Sequence, residues 1–186
     1  TPSNSSAASD VYKRQIVGSA TILTNVGSVT TDGMDLSFTM KFGPHFSVYN
    51  ALSYNRSVYN DNYNKGSSEV MTAGKRVAGV PDWTEKFVGS FEWGNFSAQI
   101  TGDIIGKRPA TFTNDLSAGS YMIYGLNAGY TFHNIPHVRD LRIQGNITNL
   151  TNEKGWSTFG TNQASGQYTA FPIAPRMFFI TVQAGF

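Results

Sequence analysis

Gly33-Met34-Asp35-Leu36-Ser37-Phe38-Thr39-Met40-Lys41-Phe42 decides the fold. Every second residue from Met34 to Phe42 is large and apolar, and the residues between them are Asp, Ser, Thr and Lys. Successive side chains of a strand point to opposite faces, so this stretch reads as a strand with one apolar and one polar face. Wound into a helix, the same residues would scatter their apolar side chains around the whole circumference.

The same period recurs on both sides. Phe46, Val48, Leu52 and Tyr54 share a face, as do Phe87, Phe91 and Trp93. Phe96, Ala98, Ile100 and Ile104 follow, then Tyr124, Leu126, Ala128, Tyr130 and Phe132, then Leu141, Ile143 and Ile147. Phe178, Ile180, Val182, Ala184 and Phe186 close the series, and a weaker strand is expected from Ile16 to Thr24. The sum is an all-β, antiparallel chain of about eight strands, several near the roughly 9–11 residues that carry a tilted strand across a bilayer. Pro44, Pro81, Pro109, Pro136 and Pro172 fall between the expected strands, as they should, because proline cannot donate a ladder hydrogen bond.

Connections alternate in length. Gly43-Pro44-His45 is tight and 60–83 is long; Gly94-Asn95 is tight and 106–120 is long; 133–139 is short and 151–173 is long. A soluble sandwich has no reason to sort its loops by end, whereas outer-membrane barrels have short periplasmic turns and long extracellular loops. Tyr54, Tyr59, Trp93, Phe96, Tyr130, Phe132, Phe178 and Phe186 stand near strand ends, where interfacial aromatic girdles form.

Composition agrees. Of the 186 residues only 14% are charged, against about 25% in ordinary soluble domains. A net charge of +2 gives no electrostatic footprint for nucleic acid. The absence of cysteine excludes disulfides, thiolate metal sites and cysteine nucleophiles. No apolar run is long enough for a transmembrane helix, and the N-terminus lacks the pattern of a signal peptide. Ser5 to Gln15 is polar and aperiodic, so residues 1–15 are expected to be a non-native or disordered leader and 16–186 the folded unit. The chain is therefore expected to be a piece of a longer protein.

Several segments resemble TonB-dependent receptor barrels, and they occur in that family's order. Asn25-Val26-Gly27 followed by Gly33-Met34-Asp35-Leu36 is similar to a family hairpin. Gly74-Lys75-Arg76-Val77-Ala78-Gly79-Val80-Pro81 and Gly106-Lys107-Arg108 resemble segments flanking the next strands. Asn146-Ile147-Thr148-Asn149-Leu150-Thr151-Asn152 resembles the family's Asn-rich block, and Ala174-Pro175-Arg176 its closing segment. The terminal alternation Phe178, Ile180, Val182, Ala184, Phe186 resembles the signal read by the barrel assembly machinery.

The resemblance implies the last third of a larger barrel of about 22 strands with a plugged lumen, in the bacterial outer membrane. It also implies partners: outer-membrane lipid, the assembly machinery, the TonB complex through a part not in this chain, and a nutrient complex, either a ferric siderophore or a carbohydrate. The alternative is a complete eight-stranded barrel with a structural or adhesive role.

Lys86, Glu92, Gln99, Asp103, Arg142, Gln144 and Asn146 fall on the polar face and are the candidate lumen-facing residues. Tyr59, Tyr63, Trp156, Phe159 and Tyr168 are the candidate loop contacts for a substrate, because their rings can stack on a sugar or an aromatic chelator. No enzyme and no cofactor are expected. The three histidines fall in expected turns, and no nucleophile–base–acid set shares a face. Asp61-Asn62-Tyr63-Asn64-Lys65-Gly66 fails as a calcium loop, since Tyr and Lys stand where carboxylates are needed.

Overall fold

Backbone pairing follows the alternation. The computed structural model describes residues 3–17, 20–65, 68–162 and 167–186, with side chains described at 27–62, 68–160 and 169–186. The strands are β1 (Ser3–Val17), β2 (Ala20–Phe42), β3 (Phe46–Tyr59), β4 (Tyr63–Lys65), β5 (Ser68–Val70), β6 (Trp83–Trp93) and β7 (Phe96–Ile105). Then come β8 (Arg108–Pro109), β9 (Ser117–Ala118), β10 (Tyr121–Ile135), β11 (Val138–Thr148), β12 (Trp156–Asn162), β13 (Gln167–Pro172) and β14 (Met177–Gly185). Eight of them form one antiparallel sheet in the order β1-β2-β3-β6-β7-β10-β11-β14. Each strand pairs with its neighbours in sequence, apart from the short hairpins β4–β5, β8–β9 and β12–β13. Those hairpins all lie in the long connections, which cluster at one end of the sheet. The tight turns lie at the other, where Gly43 and Gly94 take φ of 67° and 57°, a region that favours glycine. Among the described residues β1 pairs only with β2, and β14 only with β11, so the sheet is open at both edges.

Register fixes the faces. Leu36 stands opposite Leu52, Met40 opposite Val48 and Phe42 opposite Phe46. The row continues through Phe46↔Phe91, Phe91↔Ala98, Ala98↔Ala128, Ala128↔Gly145 and Gly145↔Ile180. All the alternating apolar sets therefore share one face. That face is bare: Phe38 is 44% exposed, Met40 48%, Val182 63% and Ile180 80%. An apolar sheet face of this extent is stable only against a non-aqueous neighbour. Among the described residues the buried apolar side chains, Val29, Tyr59, Ala110, Ala118 and Ile173, sit at the loop end instead.

The structure corrects several expectations. The expected strand Ile16–Thr24 is divided between two: Ile16 and Val17 close β1, and Ala20–Thr24 open β2. Ser5–Gln15, expected to lie outside the fold, is paired along β1 with β2, with a register shift between Asp10 and Tyr12. Ladder bonds are made by the backbone and need no side-chain alternation. The short turn narrows from 133–139 to 136–137, which puts His133 inside β10 opposite Asp140. Pro109 and Pro172 end the short strands β8 and β13 rather than lying outside strands. Tyr59 pairs with Val29 on the polar side and is buried, so it belongs to no girdle.

The remaining aromatics form two bands on the apolar face. At the turn end, Phe42–Phe46, Phe91–Phe96 and Tyr130–Phe132 have ring centroids 5.9, 6.3 and 4.8 Å apart. At the loop end, Tyr54 lies 4.6 Å from Trp83 and Phe87 lies 6.0 Å from Tyr124.

Candidate substrate path: the polar face and its loop cap

Asp, Lys, Gln, Asn and Arg alternate with the apolar residues, so the ladder that bares one face gathers these on the other. Lys86, Glu92, Gln99, Asp103, Arg142, Gln144 and Asn146 all lie there by register. Lys86 Nζ is 3.3 Å from Asp103 Oδ1, directly across the β6–β7 ladder. Gln99 donates to Ser90 Oγ at 3.3 Å. Arg142 donates to Ser97 Oγ at 2.9 Å and to Gln144 Oε1 at 3.2 Å. Gln144 then donates to Asn146 Oδ1 at 3.0 Å, which also accepts from Asn127. The result is a polar network along β11, lying across β7 and β10. Toward the turns it opens into a cleft of about 220 Å³ lined by Glu92, Ser97, Thr131, His133 and Arg142, among others. His133 Nδ1 lies 2.7 Å from Asp140 Oδ1. Among the described residues no group of His, Cys, Asp and Glu is arranged to hold a metal.

At the loop end the three long connections are tied into one cap. Asn114 Oδ1 accepts from the Arg76 amide at 2.7 Å and its Nδ2 donates to the Arg76 carbonyl at 2.9 Å, joining 106–120 to 72–83. Arg76 is paired with Asp82 in turn, donating from Nη1 to Oδ2 at 2.6 Å. Arg108 joins 106–120 to β12, donating from Nη2 to the carbonyls of Trp156 and Ser157 at 2.5 and 3.1 Å. Asn149 anchors the third loop. It is buried, and its Nδ2 donates to the Glu153 and Ala174 carbonyls at 3.0 and 2.8 Å. Its Oδ1 accepts from the Glu153 amide at 2.7 Å. Asn152 Oδ1 accepts from the Arg176 amide at 3.2 Å, so the Asn-rich block and the Pro175-Arg176 segment are two halves of one fastening.

The expected loop contacts separate. Tyr59 is buried, 5.7 Å from the Phe112 ring, and its hydroxyl accepts from the Ala78 amide at 3.3 Å, so it packs the cap. Trp156 is 51% exposed, and Phe159 lies 5.6 Å from the Arg108 guanidinium. The side chains of Tyr63 and Tyr168 lie outside the described residues. Phe178, Ile180, Val182 and Ala184 share the apolar face of the edge strand β14, and Phe186 follows it, 90% exposed. Sequence reading missed Arg108, Asn114 and Asn149 as site residues. The only signal was indirect: Arg108 and Asn149 stood inside quoted motifs, with partners 48 and 25 positions away.

Comparison with known proteins follows from this geometry. No curated protein sequence matches the chain. Solved structures do. The ferric preacinetobactin receptor BauA of Acinetobacter baumannii superposes with a TM-score of 0.70 at 18% identity, covering 97% of this chain and 26% of that one. The ferric yersiniabactin uptake receptor FyuA of Yersinia pestis gives 0.69 at 16%, covering 98% and 30%. The siderophore receptor PiuA of Acinetobacter baumannii gives 0.68 at 17%, covering 97% and 26%. The chain thus spans between a quarter and a third of the length of these relatives, and at such identities the likeness speaks for the fold. The family described as TonB dependent receptor-like, beta-barrel matches residues 2–150, most of the chain. An open sheet with one bare apolar face, loops sorted by end and this match together place the chain in the TonB-dependent receptor β-barrel family.

Proposed function

We propose that the chain supplies barrel wall and extracellular cap to an outer-membrane transporter that takes up a ferric siderophore-type complex with energy from TonB. The observation that carries this is the open sheet, with one apolar and one polar face and, among the described residues, no second partner strand for β1 or β14. A complete eight-stranded barrel would pair its first and last strands, so the free edges favour a larger barrel of about 22 strands around a plug. The named relatives are receptors for ferric preacinetobactin, ferric yersiniabactin and a siderophore, which favours an iron chelate over a carbohydrate as cargo.

In this reading the apolar face meets outer-membrane lipid and the aromatic bands sit at its two interfaces. The polar network from Arg142 to Asn146 faces the lumen, and Trp156 and Phe159 meet cargo at the mouth. The alternating residues from Phe178 to Phe186 are read by the assembly machinery through the free edge of β14. TonB acts through a plug in the remainder of the protein.

The test is uptake of radioactive iron, supplied as a panel of ferric siderophores, by iron-starved cells with and without the gene. At least one chelate should depend on the gene and on TonB. Uptake of every chelate unchanged by deletion would contradict the reading.

A further inference from the structure

Two polar side chains interrupt the apolar face. Asn50 lies midway between Phe46 and Tyr54 on β3, and Glu85 lies between Trp83 and Phe87 on β6. Among the described residues every other side chain of that face, within the aromatic bands and between them, is apolar or aromatic. Across the ladders Asn50 is fenced by Phe38 and Phe87, and Glu85 by Leu52 and Ile104. Asn50 Nδ2 donates to Glu85 Oε1 at 2.6 Å, so the two side-chain tips meet at one depth. The second carboxyl oxygen, the second amide hydrogen and the amide oxygen have no partner among the described residues. Lipid tails offer none, and polar or ionisable groups facing hydrocarbon are costly. A pair held in such a place calls for a polar partner within the membrane.

The arrangement fits a second copy of this chain. A two-fold axis along the membrane normal, passing between β3 and β6, preserves depth and exchanges left with right. Asn50 of each copy then faces Glu85 of the other, donor to acceptor, while the two carboxyl groups stand diagonally apart. Self-complementarity of this kind is what an isologous contact requires. The surface around the pair permits close approach. The Phe87 ring lies over Gly102, away from β3, and Gly89, opposite Val48, projects no side chain. Association in lipid rests on close packing and on hydrogen bonds between polar groups. We infer that Asn50 and Glu85 are the centre of a lateral homodimer interface, closed by a ring of hydrogen bonds that alternates within and between copies. The inference rests on the reading of this face as the membrane exterior.

The experiment uses the full-length natural protein in its own outer membrane, with any cysteine outside this chain replaced by serine. Leu52→Cys lies beside the axis and should give a cross-linked dimer with a short bis-maleimide. Ile143→Cys, on the same face at β11, should not. This comparison leaves the polar pair intact. Asn50→Leu or Glu85→Leu, added to Leu52→Cys, should lower the cross-linked fraction roughly tenfold, with gel mobility of the folded barrel unchanged. No dimer from Leu52→Cys, an equal dimer from Ile143→Cys, or a dimer that survives both leucine substitutions together would each overturn the proposal. A cross-linked product of another mass would put a different membrane protein on this face and overturn it too. Labelling of Ile143→Cys by a lipid-soluble but not a water-soluble maleimide checks the wall separately. Such labelling without a dimer at Leu52→Cys discards the interface and keeps the wall, whereas labelling by the water-soluble reagent contradicts the wall itself.

Discussion

The ring of Phe87 lies over Gly102, in the space that a Cβ at that position would occupy. The two residues are direct partners across β6 and β7, and Tyr124 stands on the other side of Gly102 in the same row. An aromatic ring covering a strand glycine restores the packing that the missing side chain forgoes. Gly102→Val should therefore expel the Phe87 ring and destabilise the barrel by about 1–3 kcal/mol, the usual cost of overpacking. Denaturant unfolding of the full-length protein in detergent checks this, and an unchanged midpoint would contradict it.

Asn149 carries three hydrogen bonds of the third loop and takes a φ of 49°, which asparagine tolerates better than most residues. Asn149→Ala leaves the Ala174 carbonyl and the Glu153 backbone without these partners, a local loss of about 1–3 kcal/mol. Limited proteolysis should then cut within 149–176 faster than in the wild type, with cleavage elsewhere unchanged.

Lys86 and Asp103 face each other at 3.3 Å, yet their side chains are 57% and 46% exposed. Water screens such a pair, and exposed ion pairs contribute about 0–1 kcal/mol. Lys86→Met should thus shift the unfolding free energy by less than about 1 kcal/mol. A larger loss would mean that the polar face is drier than its exposure indicates.

Asp115 accepts hydrogen bonds from the Thr111 and Thr113 hydroxyls, and these hold its carboxyl below the ordinary aspartate value. The sign follows: a depressed carboxyl stabilises the turn above its unfolded pKa, and that contribution fades as pH falls through the folded pKa. The 111–115 turn should keep its exchange protection across the neutral and mildly acidic range and lose it only below the ordinary aspartate pKa. Asp115→Asn should weaken it already at neutral pH.

How much was legible in the sequence depended on the range of the interaction. The strands around Met34–Phe42, Phe96–Ile104 and Tyr124–Phe132 were readable because period two is local, and register then followed from the tight turns at Gly43 and Gly94. β1 was not readable, since its residues alternate in nothing and its place is set by backbone pairing with β2. Asn50 and Glu85 went unassigned because polar residues break the pattern. The register puts both on the apolar face, where Asn50 Nδ2 donates to Glu85 Oε1 at 2.6 Å. The cap was the least legible part. Arg76–Asn114 and Arg108–Trp156 join residues 38 and 48 positions apart, a pairing that no periodicity announces. Tyr59 looked like a mouth aromatic from its place near a loop, and only the folded cap shows it buried.

The most direct test of the central claim, that this sheet is a membrane wall with lipid on one face and water on the other, uses the absence of cysteine. Single cysteines are placed in turn at Ser97, Ala98, Gln99, Ile100 and Thr101 of β7 in the full-length protein, with any cysteine outside this chain replaced by serine, then spin-labelled and reconstituted in lipid. Collision rates are then measured with oxygen, which concentrates in the bilayer, and with a water-soluble nickel chelate. Oxygen should be favoured at 98 and 100 and the nickel chelate at 97, 99 and 101. The opposite phase, or no alternation along β7, would contradict the account.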